Sequence, residues 1–134
     1  MDQFTQAYLE CALWASLDDN GESLDVHDIT DIAPPTLAEM VADCKAFQES
    51  HYDDMSDDLE RAGHDFWLTR NGHGAGFWDG DWPDDVGNRL TEASKVYGEY
   101  DLYFDETDSK IHSMSESIHI LLSPDNFPLD KGGK

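Results

Sequence analysis

The sequence predicts an α+β domain, three to four helices packed on a small antiparallel sheet built from hairpins. Three observations lead there. Apolar residues recur at helical spacing through the first half of the chain. Aromatic, β-prone runs broken by turn residues fill much of the second half. Four Trp, five Tyr and six Phe supply enough ring surface for a core, although the apolar share is only 39%. A length of 134 residues suits one domain, expected over 1–123, with 124–134 as a flexible tail.

Residues 3–16 place Phe4, Tyr8, Cys11 and Ala15 on one helical stripe, with Ala7 and Trp14 beside it. Residues 17–33 carry the turn Asp19-Asn20-Gly21 and no sustained stripe, which reads as a loop with a short helical turn. Thr36 offers an N-cap with Glu39 as its capping-box partner, and Leu37, Met40, Val41, Cys44 and Phe47 follow as an apolar face. A third helix is expected over 52–62, with Tyr52, Met55 and Leu59 inward and Gly63 as its stop.

Phe66 to Arg70 is aromatic and β-prone, Asn71-Gly72-His73-Gly74 signals a turn, and Ala75 to Asp79 returns with Phe77-Trp78. This predicts a first β-hairpin. Pro83 suits the first turn of a further helix with Val86, Leu90, Ala93 and Tyr97 on its face and Gly98 at its end. Leu102 to Phe104 and Ile111 to Met114, joined by a polar turn, predict a second hairpin, and Ser117 to Leu122 an edge strand.

Thirty Asp and Glu stand against eight Lys and Arg, a formal charge of −22. Crowding like charges on a small body works against the compact state, so something beyond folding maintains them. With a pI near 4.1, the chain is a poor direct partner for nucleic acid or an anionic membrane. Cationic partners, either basic proteins or divalent ions, are the natural ones. No leader segment and no apolar run of roughly 18 residues is visible, so a soluble, cytoplasmic protein is expected. Cys11 and Cys44 fit buried free thiols in a reducing compartment.

Two acidic groups stand out: Asp18, Asp19, Glu22, Asp25, Asp28 and Asp31 in the loop, and Asp53, Asp54, Asp57 and Asp58. On one helix the latter would form like-charge i,i+4 pairs, each costing about 0.2–0.5 kcal/mol. Further acids flank the two hairpins. Carboxylates arrayed like phosphates could occupy the basic groove of a DNA-binding protein, since duplex DNA carries a charge about every 1.7 Å. The plain alternative is a solvated acidic surface serving solubility. Cation binding is a third reading, but an EF-hand register centred on Gly21 puts Ser16 at position 1 and His27 at position 12, where ligands fail.

Phe66, Trp67, Phe77, Trp78 and Trp82 form a second candidate site, an aromatic surface for a protein or small ligand, although such rings are more often core. His64, Asp65, His73 and Asp79 are weak metal or acid/base candidates whose spacing matches no zinc signature. No nucleophile elbow or phosphate loop is present, and no cofactor is expected.

The run Gly63-His64-Asp65-Phe66-Trp67-Leu68-Thr69-Arg70-Asn71-Gly72-His73-Gly74-Ala75-Gly76-Phe77-Trp78-Asp79 resembles a group of small acidic proteins encoded by bacteriophages and related mobile elements. Leu90-Thr91-Glu92-Ala93, Tyr97-Gly98-Glu99, Asp101-Leu102-Tyr103 and the upstream Tyr8 to Trp14 fit the same group. The resemblance implies origin rather than activity, and no catalytic residue carries over. It raises the expectation of a DNA mimic acting in a host cell on a basic, DNA-binding defence protein.

Overall fold

The computed structural model describes residues 1–18, 20–73, 76–78 and 81–114. In chain order they form α1 (Gln3–Ala15), α2 (Pro34–Met55), α3 (Leu59–Arg70), α4 (Asp84–Tyr97), β1 (Leu102–Asp105) and β2 (Lys110–Ser113). Two short 3-10 turns, Leu24–Val26 and Ile29–Asp31, join α1 to α2. The α+β expectation holds. The expected edge strand and tail lie outside the described residues.

α3 is the centre of the molecule. From Ala62 to Arg70 every residue except His64 is buried. A helix covered on nearly all sides needs no polar stripe, and this corrects the expected first hairpin. Phe66 to Arg70 reads as a strand by propensity, but packing overrides propensity here. Phe66 stacks on Phe47 with centroids 4.1 Å apart, meets Tyr8 at 5.2 Å, and takes the edge of Tyr97 at 5.2 Å.

The Asn-Gly signal has a different use as well. Asn71 is the C-cap of α3, and Gly72 sits at φ +72°. The Gly72 amide donates to the Thr69 carbonyl (3.2 Å) and the His73 amide to the Leu68 carbonyl (3.0 Å). That pair of bonds is a Schellman cap. A left-handed glycine serves a helix end as readily as a hairpin turn. The chain then returns beside α3, where the Phe77 amide donates to Thr69 Oγ1 (3.1 Å).

The third helix is displaced relative to expectation. α2 bends at His51 (φ −133°, ψ 16°) and continues to Met55, and α3 starts at Leu59 and passes through Gly63. Gly63 is therefore no stop. A Cβ there would lie 2.0 Å from the Phe4 carbonyl oxygen, so the glycine lets α1 rest directly on α3. Tyr52, expected inward, is exposed, while Met55 is buried. α2 begins with Pro34 at its first turn and Ala33 as N-cap. Thr36 is buried and accepts from the Ser113 amide (3.2 Å), and Glu39 accepts from the Tyr100 hydroxyl (2.6 Å). Neither residue forms the expected capping box.

The second hairpin forms as expected, antiparallel, with Leu102 opposite Ser113 and Phe104 opposite Ile111. It is sewn to the start of α2 by the Ile32–Ile111 bridge and by the Ala33 amide donating to the Ile111 carbonyl (2.8 Å). Cys11 and Cys44 are buried free thiols.

The C-terminal end of α3 carries a buried cation. Arg70, only 6% exposed, donates to Tyr8 Oη (3.0 Å), Asp43 Oδ2 (2.9 Å), and the Tyr97 and Gly98 carbonyls (3.0 and 2.7 Å). Its guanidinium also lies 5.1–5.7 Å from the ring centres of Phe66, Tyr97 and Tyr100. One side chain thus ties α1, α2 and the carbonyl end of α4 to α3.

Candidate functional site: an acid-flanked groove along α1

The outward stripe of α1 is Gln6, Glu10 and Trp14, one residue per turn. Asp2 starts the helix, accepting from the Thr5 amide (2.7 Å). On one side of the stripe lies a groove of about 600 Å³ lined by Ala7, Glu10, Cys11, Trp14, Asp58, Glu60, Arg61 and His64. On the other side lies one of about 430 Å³, whose lining includes Gln6, Glu10, Asp25, His27 and Asp28. Glu10 belongs to both. Carboxylates of the loop and of the α3 N-terminus therefore flank one helix, with Glu10 between them.

Local turn chemistry places these acids. Asp18 Oδ1 accepts from the amides of Asn20 (2.8 Å) and Glu22 (3.0 Å). Asp28 accepts from the Thr30 amide (2.9 Å) and its hydroxyl, and Asp31 closes a capping box onto the Asp28 amide (3.0 Å). Asp58 is the N-cap of α3, accepting from the Arg61 amide (3.1 Å). The Thr30 side-chain and backbone hydrogen bonds hold Asp28 below the ordinary carboxylate pKa. In the loop, Asp18, Asp28 and Asp31 are thus turn acceptors as well as charges.

The second expected group divides. Asp58 joins the α1 groove. Asp53 and Asp54 fall in the last turn of α2, Asp57 in the following turn, so the four do not share one helix. Asp54 is paired with Arg89 of α4 (2.7 Å), and that hydrogen bond holds its pKa low. Asp19 lies outside the described residues.

Several cations among the described residues are paired with acids. Arg61 pairs with Asp81 (2.9 Å) and Asp58 (3.4 Å), Arg89 with Asp54 and Asp85, and Lys95 with Glu92. Arg70 is inside.

Four of the five aromatic candidates are core: Phe66, Trp67, Phe77 and Trp82 are buried. Trp82 Nε1 donates to the buried Asp65 carboxylate (2.8 Å). Trp78 alone is outward, at 53% exposure. The metal set disperses. His64 Nδ1 lies 3.9 Å from Asp65 Oδ1, but His73 follows the opposite end of α3 and Asp79 is outside the described residues. A different trio, Asp105, Asp108 and His112, puts ligand atoms within 4.8 Å of one another. There Asp105 accepts from Thr107 and Asp108 from the Lys110 amide (2.9 Å), which are the bonds of a polar hairpin turn.

Trp14 is the residue sequence reading undervalued. It sits beside the apolar stripe by spacing but is 59% exposed, and its ring lies 6.3 Å from that of His64 across the groove. Its position at the edge of the stripe, four residues after Glu10, was the available signal. No helix among the described residues is long and apolar enough to cross a membrane. No protein-family model, curated protein or solved structure matches the chain.

Proposed function

We propose that the protein binds and blocks a basic, DNA-binding host protein by presenting carboxylates where that protein would meet phosphates. The observation that supports this most directly is Glu10. It lies between two grooves, with Asp25 and Asp28 on one side and Asp58 and Glu60 on the other. The net charge of −22 would steer a cationic partner toward any such surface and make association fast and salt-sensitive.

The test is capture of host proteins on the immobilised chain at low and high salt, followed by displacement with duplex DNA. Captured proteins should bind DNA, leave as salt rises, and be released by the duplex. A quadruple variant carrying Glu10→Gln, Asp25→Asn, Asp28→Asn and Glu60→Gln should lose inhibition while keeping its fold. Binding indifferent to salt, to duplex and to this variant overturns the reading. The exposure of Trp78 supports a second reading, a binding module with charge serving only solubility. In that case Trp78→Ala abolishes a salt-insensitive complex.

A further inference from the structure

We propose that the larger groove, between α1 and the start of α3, is an arginine-accepting seat, with the Trp14 ring as its platform. This rests on the proposed binding of a basic partner and names where one of its side chains docks.

The chemistry of the walls defines the occupant. Glu10, Asp58 and Glu60 supply three carboxylates, against the single guanidinium of Arg61. Arg61 is already satisfied by Asp58 and Asp81. Glu10 accepts from the Gln6 side-chain amide (2.9 Å), a neutral donor, and Glu60 is exposed. An incoming group must therefore be cationic.

It must also be amphipathic. The floor is Ala7 and Cys11, and burial, helped by the nearby Asp65 charge, pushes the Cys11 thiol up to about 12, so it stays neutral. Trp14 offers an exposed indole face, the best aromatic partner for a cation. Arginine suits this set better than lysine. Its planar guanidinium stacks on an aromatic ring while its edge forks to carboxylates, and it sheds water more readily than an ammonium. A volume of about 600 Å³ is within the usual range of clefts that hold ligands. Arg61 shows the same recognition in miniature, with a guanidinium held by carboxylates at the rim.

The experiment uses the full chain and a short alternating Arg–Gly peptide, with its Lys–Gly counterpart, at low salt. The indole N–H signals are followed by NMR, and Trp14→Phe assigns the Trp14 signal by its loss. The Arg peptide should shift the Trp14 signal well beyond that of Trp78 and bind more tightly than the Lys peptide. Trp14→Ala should weaken it about 2–5-fold, with melting unchanged, and Trp78→Ala should not. If the peptide binds but the Trp14 signal stays still and Trp14→Ala is neutral, the seat is elsewhere, although recognition of basic partners stands. If neither peptide binds at low salt, the proposed function fails and the seat with it.

Discussion

The two ends of α3 handle charge in opposite ways. At the C-terminal end a single cation is buried, and every hydrogen bond it makes goes to another element or its cap: Tyr8, Asp43, Tyr97 and Gly98. At the N-terminal end Asp58 and Glu60 face solvent beside Glu10, and Arg61 is held at the rim. A helix dipole favours acids at the first end and bases at the last, so both arrangements agree with it. The difference lies in burial. A buried charge must be fully partnered and then becomes architecture. An exposed one stays available to a partner. A chain with eight basic residues places one of them where a lost partner is most costly.

The largest effect is expected at Arg70. Arg70→Met should cost about 3 kcal/mol or more in denaturant unfolding, because Asp43, Tyr8 and two carbonyls lose their donor together. Arg70→Lys should fall between, since one ammonium cannot reach four acceptors in a fork geometry. A Met variant as stable as the parent would show that the cation is not architectural.

The middle of the helix offers a smaller test. Asp65 is buried and accepts from Trp82 Nε1. Trp82→Phe should cost about 1.5–3 kcal/mol, the usual worth of a hydrogen bond to a charged group. Substituting Asp65 and Trp82 together by Asn and Phe should recover part of that loss, measurable as a coupling in a double-mutant cycle.

The N-terminal end should be nearly silent. Glu60→Gln there, and Asp25→Asn in the loop on the other side of α1, should each shift stability by no more than about 0.5 kcal/mol. Added salt should raise the melting temperature of the parent by screening self-repulsion. Salt would then stabilise the fold while weakening its complexes, a pairing of signs that a purely structural acid set would not give.

The smallest effect concerns pH. Asp28, Asp54 and Asp105 are held below the ordinary carboxylate pKa, by hydrogen bonds from Thr30, Arg89 and Thr107 respectively. A depressed folded pKa adds stability that is complete above the unfolded value, which lies near 3.9. That stability fades as pH falls through the folded values. A melting curve should therefore show no loss from these groups between pH 7 and 5, and a loss below about 4.

Some of this was legible in the sequence. α1, α4 and the second hairpin follow from spacing, from Pro83 and Gly98, and from the polar turn before Ile111. α3 was not legible as a helix because it is buried almost all round, and a buried helix has no amphipathic stripe to read. Its Asn71-Gly72 end uses the same left-handed glycine as a hairpin. The acids were legible as charge, but not as the turn acceptors that Asp18, Asp28 and Asp58 become. That depends on which amides lie within reach after folding. Trp14 and Tyr52 show the same limit, because helical spacing alone leaves open how wide the covered face is.

Gly63 gives the crossing of α1 and α3 its closeness, since a hydrogen atom is all that fits beneath the Phe4 carbonyl. His64, the next residue, looks across at Trp14. The spacing of the groove walls is thus fixed from beneath, at a buried contact between α1 and α3. Even a single methyl at that pivot would spread the two walls, so the width of the groove is set by a residue hidden in the interior.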